Sequence, residues 1–581
     1  MTREDAATIL ERIAILLEMQ GENPFKVRAY RTGAEIVESF SGDIMKLAAE
    51  NQLSGIKGLG DALRDKLHEM AVTGRLEFYE KLKEHFPDSI FELFDIQGLG
   101  PKKIAALHTE LGVASVADLK RVCESGKISR LAGFAAKTVA KILENITFRE
   151  QHASEFRLDQ VHALVQEILE ALRGHPAVSR AEVCGSFRRG KETVHDLDFL
   201  VATKKAEAVI DLFVTLPVVS DVIARGETKA AIHATHGVQC DLRVVSSTEY
   251  PFALMYFTGS KEHNVAIRQR ALARGWSLNE YALSLVPDHA EAAAIPPIHD
   301  EAELYHALGL DAIEPELREN VGEIEAAAEG TLPRLVQLEN LRGVFHNHTT
   351  ASDGNGTLKE MAAAAHDLGF QYLGIADHSK SSFQANGLDE KRLLAQIEEI
   401  KSLNREYSDE GFHVFAGSEV DILKDGSLDF SDEVLAQLDY VVASVHSVFN
   451  LPEAEMTRRI IKAIENPYVT MLGHLTGRLL LQRQAYKVDV AAVIDAAAAT
   501  GTIIELNASA WRLDMDWRWW RMAKEKGVKC SINPDAHSTR GLQDVVFGIK
   551  AARKGWLTRA DIINCMPLAE VKSALTAKRG R

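Results

Sequence analysis

Beyond residue 339, six short apolar runs each end in a histidine or an acid, and no other feature of the sequence restricts the fold so tightly. Gly343-Val344-Phe345 runs into His346-Asn347-His348, with Asp353 five residues on, and Tyr372-Leu373-Gly374-Ile375-Ala376 ends at Asp377-His378. Val414-Phe415-Ala416-Gly417 ends at Ser418-Glu419, and the run Tyr440 to Val445 leads to His446. Val469 to Gly473 leads to His474, and Ser531-Ile532-Asn533-Pro534 to Asp535-Ala536-His537. Helical segments separate the runs, the pattern of parallel β/α units. In such a barrel the C-terminal strand ends emerge on one face, so six histidines and three carboxylates converge there. Residues i and i+2 share a strand face, so His-x-His and Asp-x-His offer adjacent ligands. One strand-end histidine is ordinarily a solvated surface residue, but six such ends in register read as a metal centre. Imidazole-rich sets suit zinc or manganese better than magnesium.

This ligand series resembles a complete PHP (polymerase and histidinol phosphatase) domain, a metal-dependent phosphoesterase built on a distorted β/α barrel. The resemblance implies up to three zinc or manganese ions, the first held by His346, His348, Glu419 and Asp535. Glu419 would bridge to a second ion with His446 and His474, and Asp353, His378 and His537 would take the third.

A different chemistry is written at Gly185-Ser186-Phe187-Arg188-Arg189-Gly190, which runs into Asp196-Leu197-Asp198-Phe199-Leu200-Val201. On a strand Asp196 and Asp198 share a face while Leu197 and Phe199 turn inward. Two carboxylates so placed repel each other, and a divalent cation relieves the repulsion. The run Cys240-Asp241-Leu242-Arg243-Val244-Val245 offers a third acid. Three acids on adjacent strands can hold two magnesium or manganese ions about 4 Å apart, the arrangement that serves phosphoryl transfer. The Gly-Ser turn can present backbone N–H groups and a hydroxyl to a triphosphate, with Arg189 adding charge. Asp-x-Asp alone also describes solvated strand-end acids; the preceding turn and the later acid strand favour the metal reading.

From Gly185 to Val201 the chain resembles the nucleotidyltransferase signature of family X DNA polymerases, the polymerase beta group. Tyr256-Phe257-Thr258-Gly259-Ser260, Asn264, Arg268 and Asn279-Glu280-Tyr281 resemble that family's nucleotide-binding and thumb motifs in order and spacing. The resemblance implies addition of deoxynucleotides to a primer 3′ end, with Asp196, Asp198 and Asp241 as catalytic metal ligands. Ser186 and Arg189 would hold the triphosphate, Tyr256 and Phe257 would pack against the incoming sugar, and Gly185 and Gly259 would belong to the same nucleotide-binding set. Asn264 would touch its base and Arg268 the template. His195 stands where polymerase beta has a glycine near the phosphates.

Residues 1–150 read as helices broken by glycine-bearing turns, and three of the turns recur. They are Ile56-Lys57-Gly58-Leu59-Gly60, Ile96-Gln97-Gly98-Leu99-Gly100-Pro101-Lys102-Lys103 and Leu131-Ala132-Gly133-Phe134-Ala135. Such turns resemble the helix-hairpin-helix family, which offers backbone N–H groups at a helix N-terminus to a DNA phosphate. A lone G-x-G is more often only a tight loop; repetition beside Lys102 and Lys103 favours DNA binding through Gly58, Gly60, Gly98 and Gly100. The region also resembles the lyase domain of polymerase beta, including Asn23-Pro24-Phe25-Lys26-Val27-Arg28-Ala29-Tyr30-Arg31. Lys66 falls at that family's Schiff-base lysine, although it sits in a solvated Arg64-Asp65-Lys66 and the family's second lysine is Ala62 here; phosphate binding and plain solvation are its alternative readings.

Charge needs locating before it argues against DNA. Of the net charge of -16, most resides between residues 280 and 338, where 13 acids face two bases. Ala290 to Ala294, Ile295-Pro296-Pro297 and the acidic stretch to Gly330 are expected to be surface helices and a solvated connector. The remainder is close to neutral, and DNA affinity is expected to fall steeply with salt. The five cysteines form no C-x-x-C pair and read as buried thiols in a reducing compartment. Neither a cleavable leader nor a bilayer-length apolar run is present, so a cytoplasmic, nucleoid-associated monomer is expected.

The expected architecture is multidomain α and α/β: a lyase-like helical domain with helix-hairpin-helix (1–90), a fingers-like helix-hairpin-helix region (91–150), a nucleotidyltransferase palm (151–258), a thumb (259–316), a linker (317–338) and a PHP domain (339–581). Together the halves resemble bacterial and archaeal family X polymerases with a C-terminal PHP domain. That implies filling of short gaps in gapped or nicked DNA from dNTPs, with a 3′→5′ exonuclease; 3′-phosphatase and abasic-site nuclease activity are left open. The alternatives are a PHP phosphatase for a small phosphorylated metabolite fused to a DNA-targeting module, and a non-catalytic DNA-end scaffold.

Overall fold

The computed structural model describes residues 1–580 apart from 41–42, 57, 97 and 288–293. Lys57 and Gln97 of the two stronger glycine turns, and Ala290 to Ala293 of the acidic stretch, lie outside the described residues. The chain divides into two compact units, residues 1–153 with 481–483, and residues 154–480 with 484–581.

The first unit is helical throughout its described residues and has one continuous apolar core. Helix α1 (Asp61–Thr73) shows why: Leu63, Leu67 and Met70 recur at helical spacing and are all buried. Gly58, Gly98 and Gly133 all have positive φ, so the three turns share one backbone device. Each leads into a helix, respectively α1, α2 (Pro101–Leu111) and α3 (Ala136–Gln151), whose N-terminus has no side-chain cap. Their first N–H groups are therefore free of the usual serine or aspartate partner.

In the second unit, five strands form the first sheet: β1 (Val178–Val183), β2 (Asp196–Thr203), β3 (Val219–Arg225), β4 (Lys229–Ala234) and β5 (Gln239–Val245), in the order β1-β2-β5-β4-β3. β2 and β5 are parallel with Asp198 directly opposite Asp241. The alternation of Leu197, Phe199 and Val201 into the core fixes that register, because a one-residue slip would turn the acids inward. Helices α4 (Tyr250–Thr258) and α5 (Lys261–Leu272) follow.

Seven parallel strands make the second sheet: β6 (Gly343–Asn347), β7 (Tyr372–Ile375), β8 (His413–Asp421), β9 (Tyr440–Ser444), β10 (Met471–Leu472), β11 (Ile503–Asn507) and β12 (Cys530–Asn533), hydrogen-bonded in sequence order. The His348 N–H donates to the Ala536 carbonyl at 2.9 Å, joining the first strand's end to the last and closing the barrel. Phe345, Tyr372, Phe415 and Tyr440 cluster in a buried core. Gly417 is required by that filling, since a Cβ there would lie 2.3 Å from the Tyr440 ring. Layers of bulky side chains make such a barrel solid, so its chemistry sits at the rim.

The expected solvated connector is not what the chain builds. Leu304, Tyr305, Leu308, Leu310, Ile313 and Leu317 enter a core with the thumb helices. Four acids of this stretch are half-buried or buried partners of bases: Glu301 of Arg188 and Arg318, Glu316 of Arg553, Glu319 of Lys554, and Glu323 of His263. Local charge counting misreads such a stretch because Arg188, Arg553, Lys554 and His263 lie outside it, and these four acids form shielded ion pairs in place of a solvated face.

Candidate active sites

Where β1 ends, the chain turns at Gly185, whose φ is +60 and where a Cβ would come 2.4 Å from Asp198 Oδ2. Only glycine lets the turn pass so close to that carboxylate. Asp196 is exposed, while Asp198 and Asp241 are half-buried side by side. Burial, then Asp196 and Asp241, push Asp198 up to about 7. A half-buried carboxyl raised by two neighbouring acids is a fit for divalent cations, which bind the deprotonated form.

Arg189 points beneath this site: its Nε donates to Glu319 at 3.1 Å and its Nη1 to the Thr258 carbonyl at 2.6 Å. It is close enough to help offset the charge of Asp198. Asn264, on α5, donates to the Tyr256 carbonyl at 2.7 Å and leaves its Oδ1 buried without a hydrogen-bond partner. Arg268, one turn on, lies 5.2 Å from the Tyr256 ring centroid, and Tyr256 meets Phe257 edge to face. Arg189, Tyr256, Phe257 and Asn264 are thus gathered around α4 and α5, with Gly259 beside the Arg189 guanidinium, while Gly185 stands against Asp198. His195 is exposed and lies 3.3 Å from Ser154 Oγ through its Nδ1.

At the barrel rim all nine expected ligands converge. His346, His348 and Asp535 form one group, Asp353, His378 and His537 with His348 a second, and His378, Glu419 and His446 a third. Glu419 is the hub, with Nε2 of His474 at 2.9 Å, of His446 at 3.1 Å and of His346 at 3.2 Å. His378 therefore stands nearer Glu419 than the three-ion assignment supposes, with its Nδ1 at 2.8 Å. His346 and Asp535 sit at positive φ, 58° and 54°, where non-glycine residues are rare and tend to mark functional positions.

The donor set fits metal ions on its own evidence. His348 Nδ1 and His474 Nδ1 are buried without a hydrogen-bond partner, and His346 Nε2 and His378 Nδ1 face Glu419 without hydrogen-bond geometry, an arrangement that burial penalises unless something else is bound. Burial, with His537 and His378 beside it, holds His348 down at about 4, the neutral form a metal requires. Burial opposes the charge on His378, yet Glu419 and Asp353 push it up to about 11.

Three residues of this site were not anticipated. Glu505, in the middle of β11, is fully buried and faces His346 Nδ1 at 2.5 Å, Asn533 Nδ2 at 2.8 Å and the His474 N–H at 3.0 Å. Asp421 meets His446 Nδ1 at 3.1 Å and accepts from Ser382 Oγ at 2.6 Å. Each carboxylate fixes the far nitrogen of an imidazole and so aims the near one at Glu419. Arg512 lies 3.5 Å from Asp535 and keeps a buried Nη1 without a hydrogen-bond partner. The signal for Glu505 was present, an acid inside the apolar run Ile503-Ile504-Glu505-Leu506, as was the i+2 spacing of Glu419 and Asp421.

In the helical unit, Lys102 is exposed, while Lys103 donates to the Gly98 carbonyl at 2.8 Å. Lys66 donates to the Ala62 carbonyl at 3.4 Å, and its ammonium lies 5.1 Å from the Phe78 ring centroid.

Comparison with known families divides the chain where its folds divide. Helix-hairpin-helix domains match residues 1–76 and 90–146, the DNA polymerase beta palm 157–247, the DNA polymerase beta thumb 253–319 and the PHP domain 345–509. The fold and its two rims thus define a polymerase beta-type nucleotidyltransferase joined to a PHP phosphoesterase. The DNA polymerase/3'-5' exonuclease PolX of Bacillus subtilis (strain 168) is 37% identical over 577 residues, covering 99% of both chains. The chain therefore belongs to the family X DNA polymerases that carry a C-terminal PHP domain. The PHP half alone is 29% identical over 245 residues to a probable phosphatase of Thermoanaerobacter sp. (strain X514), covering 94% of that protein and 40% of this chain. A probable phosphatase of Caldicellulosiruptor saccharolyticus is 30% identical over 202 residues, 78% of its length and 33% of this chain.

Proposed function

We infer that the protein is a DNA-directed DNA polymerase that fills short gaps and carries its own 3′→5′ exonuclease. One observation carries the inference: two complete acid and imidazole ligand sets, on two different sheets, lie in one chain. The phosphatase-named relatives share only the barrel, whereas the PolX relative spans both centres, which favours a DNA end over a free metabolite as substrate.

In the palm, Asp196, Asp198 and Asp241 would hold two magnesium or manganese ions, a pair that when bound would supply charge neutralisation for phosphoryl transfer. The chain's own part is placement. Gly185 and Ser186 give the triphosphate a turn with free donors, Arg189 supplies charge, Tyr256 and Phe257 border the sugar, and Asn264 and Arg268 face base and template. In the barrel, His346, His348, Glu419 and Asp535 would hold a first zinc or manganese ion, Glu419 with His446 and His474 a second, and Asp353, His378 and His537 a third. Such ions supply a nucleophile at neutral pH and a Lewis acid for the leaving oxygen. Arg512 provides a cation for the scissile phosphate. The three uncapped helix starts of the helical unit, with Lys102 and Lys103, grip the duplex backbone, and Lys66 takes a phosphate in the same way. The protein works as a monomer in the cytoplasm, beside the nucleoid; among its described residues no helix is long and apolar enough to cross a membrane.

A labelled primer in a gapped duplex tests this reading. Magnesium or manganese with dNTPs is expected to lengthen it, and manganese or zinc without dNTPs to shorten it; the absence of either change in every metal would sink the reading. Two further outcomes are expected. Because Asp198 must release its proton to bind metal and sits near pH 7, palm affinity for manganese should fall about tenfold per unit as pH drops below about 7, measured by calorimetry on the metal-free protein. Glu505→Gln should lower primer shortening about 10- to 100-fold, the usual cost of losing a partner behind a metal-binding histidine, and leave extension unchanged.

A further inference from the structure

The back of the triphosphate turn is packed against the barrel half of the unit. Lys550, on helix α6 (Val545–Lys554), lies 4.1 Å from the Phe187 ring centroid. Gly190, at φ +64, passes so close that a Cβ there would lie 3.3 Å from the Cβ of Lys550. Glu192 pairs with Arg478 at 2.5 Å. At the end of the same helix Lys554, whose side chain has no exposed surface, contacts Glu319 Oε1 at 2.5 Å and donates to the Arg189 carbonyl at 3.1 Å. Glu319 also accepts from Arg189 Nε at 3.1 Å and lies 3.2 Å from Lys191. One carboxylate thus faces three cations, two from the polymerase turn and one from the phosphoesterase. Burial works against the charge on Glu319, yet Lys554, Arg189 and Lys191 hold its carboxyl down at about 2.

We propose that Lys554, on the phosphoesterase half, is a positioning residue for the polymerase: by sharing Glu319 with Arg189 it sets how readily that guanidinium turns to the incoming triphosphate. The inference rests on reading Arg189 as a triphosphate ligand. Charge-assisted bonds are the strong ones, so a Glu319 with only Arg189 and Lys191 to satisfy it would bind them tightly. A buried carboxylate is also costly to leave unpaired. Lys554 meets both conditions. Its charge offsets part of Glu319's pull, and it remains as partner when Arg189 moves. The barrel helix then acts on nucleotide affinity without touching the nucleotide.

Single-nucleotide gap filling by the full-length protein tests this, with KM for the dNTP and kcat measured separately. Lys554→Met is expected to raise KM about tenfold with kcat within about twofold, the signature of lost binding rather than lost chemistry, and to leave primer shortening at the wild-type rate. Glu319→Gln should bring KM to or below the wild-type value, both alone and in the Lys554→Met background. Arg189→Ala measures the underlying reading and should raise KM whatever residue 554 is. A wild-type KM for Lys554→Met beside a raised KM for Arg189→Ala would overturn the coupling alone, whereas a wild-type KM for Arg189→Ala would overturn the reading beneath it. If Lys554→Met misfolds, seen as loss of shortening, Glu319→Gln alone decides: a raised KM contradicts the proposal.

Discussion

Asp241→Ala is expected to stop primer extension, lowering its rate about a thousandfold or more, and to leave primer shortening intact. The magnitude follows from the several kcal/mol that a bound cation contributes to phosphoryl transfer, at about tenfold per 1.4 kcal/mol. Asp241 faces Asp198 across the β2–β5 pair, and the two share one site. Removing it relieves a repulsion that helps push Asp198 up. In metal-free buffer near neutral pH the variant should therefore melt no lower than the wild type. The sign is that of an acid with a raised folded-state pKa: between about pH 4 and 7 the folded state binds more protons than the unfolded one, so Asp198 lowers stability as pH rises through that window. Gel assays of both activities, with a melting curve beside them, check all of this.

The reciprocal substitution, His346→Ala with His348→Ala, should abolish shortening by a comparable factor while extension persists. Both imidazoles are fully buried and contact Glu419 or Asp535. Their removal takes ligands from the first group and also strands carboxylates that burial penalises. A lower melting temperature is accordingly expected, together with retained extension, because the palm acids stand on a separate sheet.

The convergence at the barrel rim was legible in the residues because histidines and acids at strand ends announce themselves. The seven-strand barrel places these strand ends on one rim, but His346 and Asp535 meet their neighbours through left-handed backbone at the strand ends, not through the period-2 alternation the spacing suggests. β11 escaped notice because its ligand-type residue, Glu505, lies inside the strand instead of after it. Asp421 was hidden for a related reason: Glu419 had already been taken as the end of its run, although the strand continues to Asp421. The acidic stretch misled most, because ion pairs such as Lys554 with Glu319 join residues 235 apart in sequence. Composition records the charge of Glu319 but not the lysine opposite it. The packing of the Gly185–Gly190 turn against helix α6 is likewise a tertiary fact.

The central claim is that two chemically opposite centres in one chain act on the same DNA 3′ end. A single 5′-labelled primer in a gapped duplex, incubated with manganese and with the wild type, Asp241→Ala, the His346/His348 double alanine variant and the protein carrying all three substitutions, tests it most directly. The wild type should lengthen the primer with dNTPs and shorten it without them, Asp241→Ala should only shorten it, the double variant should only lengthen it, and the triple variant should do neither. Loss of both activities from one single-site variant that keeps its folded melting transition, or either activity surviving in the triple variant, would contradict it.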